Sequence, residues 1–339
     1  MNDAKLPLII WPLLIFLLVG FFLIDLQLGP INIQLQDAIN YGLFKPVDRD
    51  SSASVQWLIF SEIRLPRALL AVLVGFVLGC AGASLQGLLR NPLAGPGLVG
   101  VTNCAALGAV CTLYFGWAGI VWFALPLGGI LGACLSVFLI FLLAGKKGSV
   151  LNLILAGVAI NAVASSFIAL ALNFSDNPYA MNEIVYWLLG SLNNRSLNDV
   201  AIVAPFMLLG TALLLSRGAY LDALSLGEDT AQTLGFNPVL ERGLIVLGVA
   251  MAVGAAVSIS GSIGFIGLVV PHLLRPVVAY QPGKLLLLSG LGGSVLLLLA
   301  DICVQLLSVS QELKLGVVTS LVGGPFFLWM IYRMRNEVQ

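Results

Sequence analysis

Charge is scarce in this 339-residue sequence: 16 Lys and Arg with 16 Asp and Glu make up 9% of the chain and cancel to a net charge of zero. A soluble globular domain carries about 25% charged residues. So little charge cannot cover a water-facing surface, which excludes a soluble enzyme and a disordered chain alike. Nucleic acid is excluded as a partner, because its recognition needs a clustered excess of Lys and Arg. A single histidine, His272, leaves no set for histidine-based zinc or nucleophilic chemistry. The five cysteines, Cys80, Cys104, Cys111, Cys134 and Cys303, lie in apolar runs without Cys-x-x-Cys spacing and read as packing residues. No Gly-x-x-x-x-Gly-Lys-Ser/Thr phosphate loop occurs, so any ATP that drives this protein is hydrolysed by another chain. Gly95, Gly97 and Gly100 spell Gly-x-Gly-x-x-Gly, but Pro96 between them joins two apolar helices, not the strand and helix that a dinucleotide site requires.

Apolar length is what the sequence has instead. Hydrophobic residues make up 59% of it, and a membrane crossing needs about 20 of them in a row. Residues 6–24 form an apolar run longer than the core of a signal peptide, with no small-x-small cleavage site after it, and read as a retained first helix. Residues 91–145 hold 55 positions without one charge, enough for two crossings that turn near Gly116 to Gly119. The uncharged run 243–274 is broken by Gly261 and Gly264 into a full helix and a shorter one. The expectation is an all-α polytopic membrane protein, one domain over 1–339. Its ten helices start near Leu6, Ala68, Leu98, Ile120, Val150, Leu197, Gly243, Ile263, Leu285 and Val317. An even number puts both termini on one side. Placing that side in the cytoplasm puts ten basic residues there, among them Lys5, Arg90, Lys146, Lys147, Arg217, Arg242 and Lys284, as the positive-inside rule requires. Lys45, Arg49, Arg64 and Arg67 then fall in one long outer loop.

Small residues allow close helix contact in lipid. Gly75, Gly79 and Ala83 recur at intervals of four, which places the second helix deep in the bundle. Gly248, Ala252 and Ala256 echo that cadence in the seventh. Polar residues within helices are few. Asn161 and Ser165 share a face of helix five, and Thr319 and Ser320 open helix ten; each pair either bonds helices together or lines a translocation pathway. Asp301 is the clear carboxylate of a late helix. A carrier energised by an ion gradient, the alternative reading, would need several ionisable groups near the midplane.

Three segments carry a resemblance. The first runs from Arg64-Leu65-Pro66-Arg67 through Gln86-Gly87 to Asn91-Pro92-Leu93-Ala94-Gly95-Pro96-Gly97. The second is Gly264-Phe265-Ile266-Gly267-Leu268-Val269-Val270-Pro271-His272. The third joins Ala300-Asp301, Glu312-Leu313-Lys314-Leu315-Gly316 and Gly324-Pro325-Phe326-Phe327. In this order the chain resembles the permease subunits of ABC importers for iron-siderophore, heme and vitamin B12, the FecCD family. It departs from the family pattern at Lys314, where Pro is usual, and at Gln305, where Arg is common.

The resemblance implies a type II importer permease of ten helices in a bacterial cytoplasmic membrane. Its partners would be a second permease copy or a paralogue, two ABC ATPase subunits that use ATP and Mg, a periplasmic or lipid-anchored binding protein, and the surrounding lipid. No cofactor is expected on this chain. It further implies that Arg64 and Arg67 dock the binding protein, and that Asn91 and Leu93 stand at a cytoplasmic gate.

The loop 217–242 reads as two short helices, broken at Gly227 and stopped at Gly235. A solvated loop has no need of Leu221, Leu224, Leu226 and Leu234 unless something covers them. A short helix set in a partner's groove fits better, and the resemblance identifies it as the element that couples to the ATPase, with Leu224, Gly227, Glu228, Thr230, Ala231, Leu234 and Gly235 at the contact.

Overall fold

The computed structural model describes residues 6–29, 31, 33, 52–145, 150–175, 177–307 and 313–337. Lys5, Lys45, Arg49, Lys146, Lys147 and Glu312, used above for orientation or motif, lie outside them. All regular elements among the described residues are helical. Seven helical runs are long and apolar enough to cross a bilayer, and three shorter apolar helices, Val101–Tyr114, Ile266–Val278 and Leu315–Met330, bring the set to the expected ten.

The chain opens with α1 (Leu6–Gln27) and, further on, α2 (Ser52–Ile59). The second crossing does not begin at Ala68. Helix is continuous from α2 through a π-helical turn, Phe60–Arg64, into α3 (Leu65–Leu89). The widened turn sits where Pro66 has no N–H to donate, and the Leu65 N–H reaches back to Phe60 O.

Then follow α4 (Val101–Tyr114), the single turn α5 (Trp117–Ile120), α6 (Ala124–Ala144), α7 (Val150–Asn173), α8 (Pro178–Leu188) and α9 (Leu197–Ser216). The turn expected near Gly116 is there, with Gly116 in the left-handed region at φ 72°. Phe115, Trp117, Trp122 and Phe123 stand exposed around it, the placement of an interfacial aromatic belt. Two short helices, α10 (Gly218–Ser225) and α11 (Glu228–Thr233), precede α12 (Pro238–Ser260). Residues 261–264 are not helical. They separate α12 from α13 (Ile266–Leu274), after which come α14 (Pro282–Leu307) and α15 (Leu315–Glu337).

Three helices form the centre. In the apolar windows of α3, α12 and α14, 78% of residues are buried, against 17% in α1. Glycine decides which helices pack here. A Cβ on Gly79 would stand 1.9 Å from Ser289 O, and one on Gly293 2.1 Å from Gly75 O, so α3 and α14 touch backbone to backbone. In the same way a Cβ on Gly210 of α9 would meet Ala252 N of α12 at 2.6 Å.

The bundle has two distinct ends. One gathers Arg90, Arg217, Arg242 and Lys284 at the end of α3, the end of α9 and the starts of α12 and α14. The opposite end holds the end of α1, the start of α3 and the end of α14.

Candidate functional site

At the basic end, α10 and α11 form a compact hook. Gly227 breaks it at φ 128°, ψ 151°, a conformation open to glycine and costly for other residues. The hook ends as the glycine predicts. Gly235 lies at φ 91°, its N–H reaches Gln232 O at 2.9 Å, and the Phe236 N–H reaches Ala231 O at 3.1 Å. This paired closure is a Schellman cap, and Phe236 then folds its ring edge-on to Tyr220, 5.7 Å between centroids. Asn237 starts the next helix by accepting from the N–H groups of Val239 and Leu240.

The four leucines of the hook divide. Leu221 and Leu224 are buried within the chain, as is Ala231, whereas Leu226 is 73% and Leu234 62% exposed. One ion pair ties the hook to α12, Glu228 with Arg242 at 2.5 Å, and a second, Arg217 with Glu241 at 3.2 Å, joins the end of α9 to the start of α12. Thr230 Oγ1 donates to Leu226 O at 3.3 Å and stiffens the break. The result is a rigid protrusion whose outward side chains include two bare leucines.

Also at the basic end, α3 stops at Arg90, which takes the left-handed conformation at φ 47°. Asn91 Oδ1 accepts from the Leu93 N–H at 2.9 Å and so closes its own turn. Leu93 instead faces space. It lines a cavity of about 390 Å³ together with Gly97, Asn103, Ser262, Phe265 and Leu268. Every residue lining this cavity is uncharged.

The polar helix residues meet beside it. Asn103 Nδ2 donates to Ser165 Oγ at 2.9 Å, and Asn161 Nδ2 donates to Gly97 O. Both pairs therefore bond α7 to the segment that lines the cavity. Ser165 is exposed, and so is Ser320, near Gly264. Thr319 differs: it is buried and donates to Gly316 O in its own helix at 3.1 Å. It borders a separate apolar cleft of about 280 Å³ among α13, α14 and α15.

Arg64 and Arg67, expected to dock the binding protein, both make bonds within the chain. Arg64 is 5% exposed and donates to the carbonyls of Leu26, Gln27 and Ile31. Arg67 grips Asp301 through two bonds, Nε to Oδ2 at 2.7 Å and Nη2 to Oδ1 at 2.9 Å. Gln305 Nε2 extends the network to Asp301 Oδ2 at 3.0 Å and to Asp25 Oδ1 at 2.6 Å. A fork matched to a buried carboxylate is a strong, specific contact, and it spends the arginine on holding three helices together. Asp25 had no signal in the sequence, since its partners lie 280 residues away. Gln86 is a second residue whose role emerges only here: it accepts from Arg275 at 2.6 Å and donates to Leu268 O at 3.3 Å, fixing the start of the cavity wall.

The profile of the FecCD transport family matches residues 16–333. This chain belongs to the FecCD transport family. Among FecCD relatives, the hemin transport system permease protein HmuU of Yersinia pestis is 37% identical over 326 residues, covering 95% of this chain and 97% of that protein. The vitamin B12 import system permease protein BtuC of Vibrio cholerae is 39% identical over 288 residues, 84% of this chain and 86% of its own length. A solved structure described as an inward-facing conformation of a metal-chelate type ABC transporter superposes with a TM-score of 0.84 at 32% identity, covering 96% of this chain and 99% of the other. The FecCD fold is thus present over nearly the full length.

Proposed function

We propose that this FecCD chain forms the membrane pathway of an ATP-driven importer for an enclosed cargo, a metal chelate, heme or corrinoid, and that residues 217–242 take the push of ATPase subunits carried on other chains. The observation that carries the second half is the pair of exposed leucines, Leu226 and Leu234, on a hook closed by its own caps and ion pairs. A hydrophobic anchor on a rigid short helix suits a groove in a partner protein. The basic end is then the cytoplasmic end. Leu93 borders the cytoplasmic mouth, Asn91 shapes the turn that presents it, and Asn161, Ser165 and Ser320 belong to the wall of the path. A second permease copy would complete that path, and a binding protein would deliver cargo to the opposite end. The ATP and Mg belong to the ATPase.

The neutral lining of the cavity supports a cargo whose charge is masked by its own ligands, because a bare ion would be left without counter-charge in a low-dielectric path. It also argues against an ion-gradient carrier. The buried carboxylates Asp25, Glu241 and Asp301 each have a hydrogen-bonding partner in Gln305, Arg217 or Arg67, and none lines the cavity. The test is uptake into proteoliposomes that hold permease and ATPase, with hemin, cyanocobalamin and ferric citrate each offered on the cognate binding protein. Uptake of one of them should require ATP and stop when ATP binding in the partner is blocked. Uptake driven by an ion gradient with that partner disabled would overturn the reading.

A further inference from the structure

The hook is connected in sequence to α9 and α12, and its first helix is also bonded to α3 and α14. Arg90, at the end of α3, donates from Nη2 to Leu224 O at 2.6 Å. Asp222 Oδ1 accepts from the Gly283 N–H, in the first turn of α14, at 2.7 Å. Leu221 is fully buried between these two contacts. A Cβ on Gly87 of α3 would lie 3.4 Å from one of its methyls and 3.5 Å from Pro282. A Cβ on Gly218 would stand 3.2 Å from Gly283 Cα, and one on Gly283 would come within 2.6 Å of Asp222 Oδ2. Thus α10 is wedged between the last turn of α3 and the first turn of α14. A carboxylate on the N-terminal turn of α14 also meets the positive end of that helix's dipole.

From the wedge, α3 and α14 run side by side through the Gly75/Gly293 and Gly79/Ser289 contacts to the Arg67–Asp301 fork at the opposite end. Glycine contacts this close leave little room for the two helices to slide. We infer that Asp222 and Arg90 are positioning residues that tie the hook to the α3–α14 pair, so that displacement of the hook moves these two helices together and reaches the binding-protein end through them. The inference rests on the reading of the hook as the ATPase contact. Their bonds run within the chain, to Leu224 O and the Gly283 N–H, and they fix what the contact moves.

The experiment uses the complete transporter in liposomes, with the cognate binding protein added without cargo as the probe. Two quantities are read: the amount of ATPase that co-purifies with the permease, and the ratio of ATP hydrolysis with and without the binding protein. Asp222→Ala should co-purify as much ATPase as wild type while the ratio falls about five-fold, the factor that corresponds to loss of one hydrogen bond of ordinary strength. Asp222→Asn keeps an acceptor oxygen for the Gly283 N–H and should restore the ratio to within about two-fold of wild type. Gly283→Val, which drives a side chain against Asp222, should reproduce the Ala effect. An unchanged ratio in Asp222→Ala overturns the inference, as does equal damage from Asn and Ala, or loss of the ATPase from the Ala variant. A failure of the underlying reading is seen separately: Leu234→Asp would then keep both co-purification and stimulation.

Discussion

Leu234 carries the mechanical reading at the scale of one residue. Burying a leucine in a partner's groove is worth roughly 1.5 to 3 kcal/mol, and a carboxylate in the same groove would be desolvated without compensation. Leu234→Asp is expected to lower ATPase co-purification at least about tenfold on that scale, measured by quantitative pull-down from detergent. Gly235→Val should be milder. A Cβ at this position meets nothing within 4 Å, so the penalty is the left-handed backbone alone, about 1 to 2 kcal/mol, and the effect should be weaker stimulation with the ATPase still attached. At the other end, Arg67 and Asp301 act as one unit. Removing one partner of a buried pair costs about 3 to 5 kcal/mol. Arg67→Ala is expected to lower the melting temperature of the solubilised permease by several degrees, read by size-exclusion after heating. A permease of unchanged stability but with impaired binding-protein association would instead support the docking role expected for Arg67.

At the scale of elements, the glycines separate into those that allow helix contact and those that do not. Gly79→Leu would force a side chain into the backbone of α14, where even a Cβ meets Ser289 O at 1.9 Å. No rotamer relieves a clash that begins at Cβ, so the variant is expected to give little monodisperse protein. Gly97→Ala has nothing within 4 Å of its Cβ and should purify like wild type. The contrast is checked by the recovered peak in size-exclusion chromatography. It also bears on how the elements were legible. The helix break at Gly261 and Gly264 and the turn at Gly116 follow from residue type, because glycine punctuates apolar runs. The hook's two helices and its cap follow likewise from Gly227 and Gly235. The continuity of α2 into α3 does not, since it depends on a π-helical turn whose extra residue leaves no mark on hydrophobic spacing.

At the scale of the whole molecule, orientation is the testable property. In a cysteine-free background, Glu228→Cys should react with an impermeant maleimide from the cytoplasmic face alone, and Tyr179→Cys, in the exposed first turn of α8, from the opposite face alone. Labelling of both from one side of sealed vesicles would break the alternation of crossings on which the assignment of the basic end depends.

The sequence by itself determined what depends on local composition: a membrane protein, ten apolar helices, their breaks, and a leucine-bearing hook between charged residues. It also held the order of motifs by which the family is recognised. Tertiary structure alone decided which side chains meet. Arg67 finds Asp301 across 234 positions, and a charge near a helix end looks the same in sequence whether it faces a partner or the core. Of four leucines in the hook, two are buried within the chain and two are left bare. That division follows from where α10 is wedged, not from hydrophobicity, which is equal for all four. Thr319 and Ser320 are neighbours in sequence, yet one is buried and the other exposed, because successive residues on a helix point about 100° apart and only packing determines which direction is the core.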